Sequence, residues 1–232
     1  MPFDTSDTQL KMKLGSTTAA YPQITTTPRP PLSYDSGLKR LVDVTLVALS
    51  AVVVVPVIAL MALLVSLDGR APFYTQLRVG RNGKAFRIIK MRTMVHNADA
   101  LLQNHLSKDP ALKAEWDATQ KLKNDIRVTW IGRFLRKTSL DELPQLINVL
   151  MGSMSLVGPR PMMLSQQSLY PGQSYYRLRP GITGLWQISD RNACHFCDRA
   201  KYDAVYERTM SLKNDIKVLL QTVVVVLRGT GY

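Results

Sequence analysis

The chain has 232 residues, with 30 Lys and Arg against 17 Asp and Glu, and a formal net charge of +13. That length suits one compact domain with a tail and a membrane element. The charge calls for an anionic partner, a phosphorylated substrate or acidic lipid, and with no RNA- or DNA-binding motif present it argues against nucleic acid.

Residues 1–36 are rich in Ser, Thr and Pro, end in TTTPRPPLSYDSG and lack apolar periodicity. They read as a disordered tail, TTPRPP being either a tether or a polyproline ligand. The polar N-terminus predicts no secretory signal. From Val44 to Leu67 there is no charged residue, enough length to cross a bilayer. Pro56 near its middle breaks or kinks a helix. Lys39 and Arg40 lie before it and Arg70, Arg78 and Arg81 after it, so the positive-inside rule sets no orientation. A helix–break–helix over residues 37–70 that enters and leaves one leaflet satisfies both observations; the alternative is a kinked spanning helix.

In APFYTQLRVGRNGKAFRIIKMRTM, Asn82-Gly83 between alternating runs predicts a basic β-hairpin. Residues 95–122 have a polar helical pattern interrupted at Pro110, and His96 and His105 have no evident ligand partners. The most informative stretch is TSLDELPQLINVLMGSMSLVGPRP, Thr138–Pro161. Leu143, Leu146, Ile147 and Leu150 recur at helical spacing. Pro144 is tolerated only in a first turn, so the spacing predicts a helix starting near Asp141, with the dipole favouring an ionised carboxylate. Asp141 and Glu142 are then either a cap with a solvated neighbour, or a carboxylate pair that meets a phosphate ligand with a divalent ion. Arg133, Arg136 and Lys137 upstream, and Arg160 in the stiff Gly158–Pro161 turn, favour the second reading.

Further on, YYRLRPGITGLWQISDRN is turn-rich. Its glycines are candidates for close backbone approach to a phosphate, and Arg177, Arg179 and Arg191 are candidate anion contacts. Cys194 and Cys197 form a lone CxxC with only His195 nearby, which reads as two reduced thiols rather than a zinc site. The final IKVLLQTVVVVLR is too short to span and reads as an interfacial or a core helix.

RKTSLDELPQLINVL followed by MSLVGPRP resembles the signature of the bacterial sugar transferases, monotopic phosphoglycosyl transferases. The resemblance runs from about Lys39 to Tyr232, and is closest to the short exopolysaccharide-initiating undecaprenyl-phosphate galactose phosphotransferases of rhizobia. It implies an α/β fold, mostly α with a small β-hairpin. It also implies a re-entrant membrane helix and a catalytic domain over residues 71–232, on the cytoplasmic face of a bacterial inner membrane. The expected substrates are a UDP-hexose, galactose ahead of glucose, and undecaprenyl phosphate. Asp141 is then the nucleophile and Glu142 the holder of Mg²⁺. Lys90 and Arg92, within Lys90–Met94, join the active site. Arg136 and Arg160 clamp phosphate, and Asp203 is matched before Tyr206. A homodimer and contact with other polysaccharide-assembly enzymes are further expectations; a non-catalytic scaffold is the alternative. The chain departs from the family pattern at Val55, Ile126, Ser153 and Asp190, where serine, proline, aspartate and glycine are usual. It also departs at Thr209-Met210, in place of an Asn-Trp-Ser run.

Overall fold

The computed structural model describes residues 34, 37–119, 122, 124–189 and 196–227. Helix α1 (Leu38–Val65) is the apolar segment, and Pro56 lies inside it. The expected break is therefore not a gap: any change of direction at Pro56 is made within continuous helix. Its first turns are pinned by polar groups. Lys39 Nζ lies 2.6 Å from Asp215 Oδ2, and the Asp43 carboxylate accepts from the Ser155 hydroxyl at 2.7 Å. Arg40 donates to the carbonyls of Val149 and Leu150. Tyr34, within the expected tail, donates its hydroxyl to Asp215. At the other end Met61 and Val65 pack with Met91 and Leu135, and Arg92 Nη2 donates to the Val65 carbonyl at 3.0 Å. Val47 packs with Ile88, Val149 and Met154, but many apolar side chains between these anchors are exposed, Val52 being 80% and Val53 68%. Apolar surface left in water forfeits about 25 cal/mol per Å². This helix alone among the described residues is long and apolar enough to cross a membrane.

Strands β1 (Phe73–Val79) and β2 (Ala85–Met91) form the predicted hairpin, antiparallel with Phe73 opposite Met91 and Val79 opposite Ala85. Its turn uses left-handed backbone at Asn82 and Gly83, φ 58° and 74°, which Asn and Gly tolerate best. Helices α2 (Ala98–Lys108) and α3 (Pro110–Thr119) split at Pro110 as expected, and Leu112 and Trp116 of α3 pack against a small core of Leu102, Leu106 and Leu122. Helix α4 (Trp130–Thr138) is capped by Thr129, whose hydroxyl accepts from Gly132 N–H at 2.9 Å. Helix α5 (Gln145–Leu150) follows.

A feature absent from the sequence reading is a parallel pair, β3 (Ser155–Val157) with β4 (Gly181–Thr183). Short helices α6 (Ser174–Arg177) and α7 (Leu185–Ile188) flank β4, and α8 (Arg199–Thr209) and α9 (Leu212–Leu227) close the fold. Gly181 and Gly184, the glycines expected to approach a phosphate, both stand close against the backbone of Gly158. A Cβ on Gly181 would stand 2.1 Å from Gly158 N, and one on Gly184 2.2 Å from Gly158 O. This contact sets the turn that carries Arg160.

Candidate active site

Three elements bring the site together. Strand β2 supplies Lys90. It is tied to α5 by Asn148, whose side chain accepts from Ile89 N–H at 2.9 Å and donates to the Arg87 carbonyl at 2.8 Å. The Asn148 amide thus satisfies two strand-edge groups, which seldom stay unpaired when buried, and fixes the register of helix against strand.

The second element is the turn between α4 and α5. Ser139 ends α4 in left-handed backbone, φ 57°, with no side-chain cap. Leu140–Glu142 then make a single 3₁₀ turn, and α5 starts only at Gln145 with Pro144 as its N-cap. The sequence placed Asp141 at the helix N-terminus. It lies instead in the preceding turn, because left-handed Ser139 ends one helix before the next begins. The third element is the Gly158–Pro161 turn. Beyond it Met162 accepts from Val79 N–H at 3.0 Å, and Tyr175 donates its hydroxyl to the Val79 carbonyl.

On this frame Lys90 Nζ lies 2.7 Å from Glu142 Oε1 and 3.8 Å from Asp141 Oδ2, and Arg160 Nη2 lies 3.0 Å from the same Glu142 Oε1. The two carboxyls are pushed apart in acidity. Burial lifts Asp141 above the usual carboxylate range, against the pull of the Lys90 ammonium and with the Glu142 charge adding to the rise. Burial would lift Glu142 too, but the Arg160 guanidinium and the Lys90 ammonium outweigh it and hold that carboxyl down to about 2. Neighbouring carboxyls with divergent acidity mark acid–base and nucleophilic sites.

Beside Glu142 is a cavity of about 40 Å³, ringed by Arg78, Lys90, Glu142, Arg160 and Gln145, with Ile88 and Ile182 as aliphatic wall. Arg78 is half-buried, and burial lowers its pKa. Its Nη2 donates to Gln76 Oε1 at 2.6 Å. Gln145 is 2% exposed, and its Nε2 is buried with no hydrogen-bond partner among the described residues, a state that costs about 1–3 kcal/mol. The sequence reading assigned Arg78 and Gln145 no role in the site. Strand alternation carried a signal for the first, since Arg78 and Lys90 fall on one face of the β1–β2 register. Spacing carried one for the second, four residues after Asp141.

Residues 34–229 match the bacterial sugar transferase family. The chain belongs to that family. It is 46% identical over 196 residues to the UDP-galactose-lipid carrier transferase of Erwinia amylovora, covering 84% of this chain and 41% of that protein. It is 45% identical to the undecaprenyl-phosphate galactose phosphotransferase of Salmonella typhimurium, covering 84% and 41%. It is 42% identical to the exopolysaccharide production protein ExoY of Sinorhizobium fredii, covering 83% and 87%. The chain thus spans about two-fifths of the first two relatives and most of the third.

Of the residues that the family signature singled out, Lys90, Asp141, Glu142 and Arg160 converge. Arg136 stands at the edge: its Nε donates to Thr93 Oγ1 at 3.0 Å, and its charge lowers the Asp141 carboxyl. Arg92 and Asp203 of that set, and the candidate anion contact Arg179, are engaged elsewhere. Arg92 pairs with Asp68 at 2.6 Å. Arg179 donates to the Gly152 carbonyl at 3.2 Å. Asp203 is buried and accepts from the Tyr170 hydroxyl at 2.8 Å; burial lifts its carboxyl to about 7, against the Tyr170 hydrogen bond and the Arg199 charge. Arg177, also considered from sequence, pairs with Glu207. Arg191, Cys194 and His195 lie outside the described residues; Cys197 carries no disulfide. A separate open cleft of about 450 Å³ lies by the hairpin turn, lined by Asn82, Gln167, Gln173 and Tyr176 among others.

Proposed function

We propose that this chain moves a phospho-hexose from a UDP-hexose to undecaprenyl phosphate at a membrane surface, starting exopolysaccharide assembly, through an aspartyl-phosphosugar intermediate. The observation that carries the reading is the adjacent carboxylates of opposed acidity, sharing Lys90 beside Arg160. Relatives named for galactose are 41–46% identical, and those named for glucose 38%, which favours galactose.

Asp141, with its raised pKa, is the more nucleophilic carboxylate. Its oxygen attacks the β-phosphorus; the new O–P bond forms as the bond to the bridging oxygen breaks, and UMP leaves with the electron pair. An oxygen of undecaprenyl phosphate then attacks the same phosphorus, the acyl O–P bond breaks, and the Asp141 carboxylate is restored. A mixed anhydride of this kind is a reactive donor. Lys90, Arg160 and Arg136 offset the repulsion between an anionic nucleophile and an anionic diphosphate, and an Arg fork suits phosphate oxygens.

Both cations sit on Glu142 Oε1, leaving Oε2 without a hydrogen bond among the described residues. These residues hold no cluster of three potential metal ligands. That donor set fits Mg²⁺, which takes one or two protein carboxylates and completes its shell with substrate phosphate and water. Held by Glu142, it would neutralise phosphate charge and assist departure of UMP.

The contacts of α1 support a re-entrant membrane placement. One body grips the helix at Lys39 and again at Val65, whereas a helix crossing a bilayer has its ends about 30 Å apart on opposite sides. These two grips support a re-entrant reading with both ends on one side and the exposed middle immersed; that this side is the cytoplasmic face of the inner membrane is part of the same proposal. Exposed apolar residues of α9, such as Leu220 and Leu227, suit the interface, as do Trp130 and Phe134 of α4.

The test is to incubate purified protein with UDP-galactose or UDP-glucose and undecaprenyl phosphate, and to measure UMP. Release that requires the lipid for turnover, and continues to about one equivalent per site without it, is expected. No UMP from any UDP-hexose would refute the reading.

A further inference from the structure

We propose that Gln145 is a substrate-contacting donor: its side-chain N–H binds a non-bridging oxygen of the phosphoryl group that is transferred. This rests on the reading of the site as a phosphoryl-transfer centre. Three observations meet at this residue. Gln145 is 2% exposed, its Nε2 has no partner among the described residues, and it lines the cavity beside Glu142.

The neighbouring donors are already engaged in the protein itself. Lys90 and Arg160 hold Glu142, and Arg78 holds Gln76. A buried amide donor left open is a rare state in a folded chain. Here it faces a space whose rim carries three cations and one carboxylate, a surrounding that draws in an anion.

Size selects the part of the ligand. A water needs roughly 10–15 Å³ of such volume; the cavity of about 40 Å³ takes a few waters or one phosphoryl group, and no nucleoside or hexose. The occupant is thus the phosphoryl group, with base and sugar outside. The cations supply attraction with little directional demand. A neutral amide supplies direction, because an N–H···O bond weakens steeply off line. Gln145 therefore orients the phosphorus toward Asp141, one turn of chain away.

The test compares wild type with Gln145→Met, which removes the donor at similar length, and Gln145→Glu, which keeps the shape and replaces the N–H with an acceptor. Since the donor has no partner in the free protein, Gln145→Met should melt at or above the wild-type temperature. Its kcat/KM for UMP release should fall about 10²-fold, the effect of losing one preorganised donor to phosphoryl or oxyanion oxygen. Gln145→Glu should fall at least as far.

A second readout does not depend on turnover. Inorganic pyrophosphate should raise the melting temperature of wild type more than that of either variant. Wild-type kcat/KM in both folded variants would overturn the proposal, as would a lowered melting temperature with unchanged activity, or equal protection by pyrophosphate. If wild type releases no UMP yet pyrophosphate protection depends on Gln145, the function proposed above fails while the anion contact stands.

Discussion

At Asp141, burial and charge pull in opposite directions, and burial prevails. A carboxylate used as nucleophile gains from that outcome, because a more basic oxygen bonds phosphorus more readily. At Glu142 the two cations prevail, and the group stays anionic through the physiological range. Asp141→Asn keeps the size and most of the packing, so a folded protein is expected, with no retention of sugar label and UMP release reduced to background. In wild type, labelling should speed up as pH rises through the elevated Asp141 pKa, since only the ionised form attacks. Glu142→Gln should slow turnover, with part of the loss recovered at high Mg²⁺. Labelled Asp141→Asn would show that another group attacks. The adjacency of the two acids was plain in the chain. Their divergence was not, because it arises from Lys90 and Arg160 approaching Glu142 from 52 and 18 residues away.

Among the elements, α1 was the most legible and also the one whose geometry most needed the fold. Its length and apolarity came from composition alone, but only the fold shows that Lys39 near one end and Val65 at the other contact the same body. Pro56 removes one helical hydrogen bond and crowds the carbonyl four residues earlier, which favours bending at mid-helix. Pro56→Ala should straighten α1 and bring a spanning topology within reach. With Cys194 and Cys197 replaced by Ser, a single cysteine at Ser6 should be protected from a membrane-impermeant reagent outside spheroplasts in wild type. It should become partly accessible in Pro56→Ala. Full labelling of wild type from outside would contradict the one-sided placement. The hairpin was read correctly, because alternation and Asn82-Gly83 are local signals. The β3–β4 pair was not, since two three-residue strands joined over a long connection leave no periodic trace.

On the scale of the whole molecule, buried polar links join distant parts of the chain: Lys39 to Asp215, Asp43 to Ser155, Tyr170 to Asp203. Asp203 makes global stability depend on pH. Its folded pKa of about 7 stands above the ordinary 3.8, so the native state binds the extra proton between these values. Its contribution is therefore complete below about pH 4 and is lost as pH rises to about 7. Asp203→Asn keeps an acceptor for Tyr170 and removes the titration. Its stability relative to wild type should grow across that window, measured by denaturant unfolding in detergent; a flat difference would show that Asp203 does not titrate there.

The sequence by itself determined the apolar segment, the hairpin, the acid pair and the basic surroundings, because each rests on neighbours within a few residues. The tertiary structure alone decided which cations serve the acids. Arg92 and Lys90 stand two apart on the same run, yet one holds the end of α1 through Asp68 and Val65 and the other reaches Glu142. Arg179, a candidate anion contact, and Asp203, matched in the family pattern, are drawn into contacts away from the acid pair, while Arg78 and Gln145 line the cavity beside Glu142. The physical reason is that a side chain's partner depends on where the backbone aims it and what packs opposite. Both are settled by contacts between residues far apart in the chain, such as Asn148 against β2 and Gly158 against Gly181.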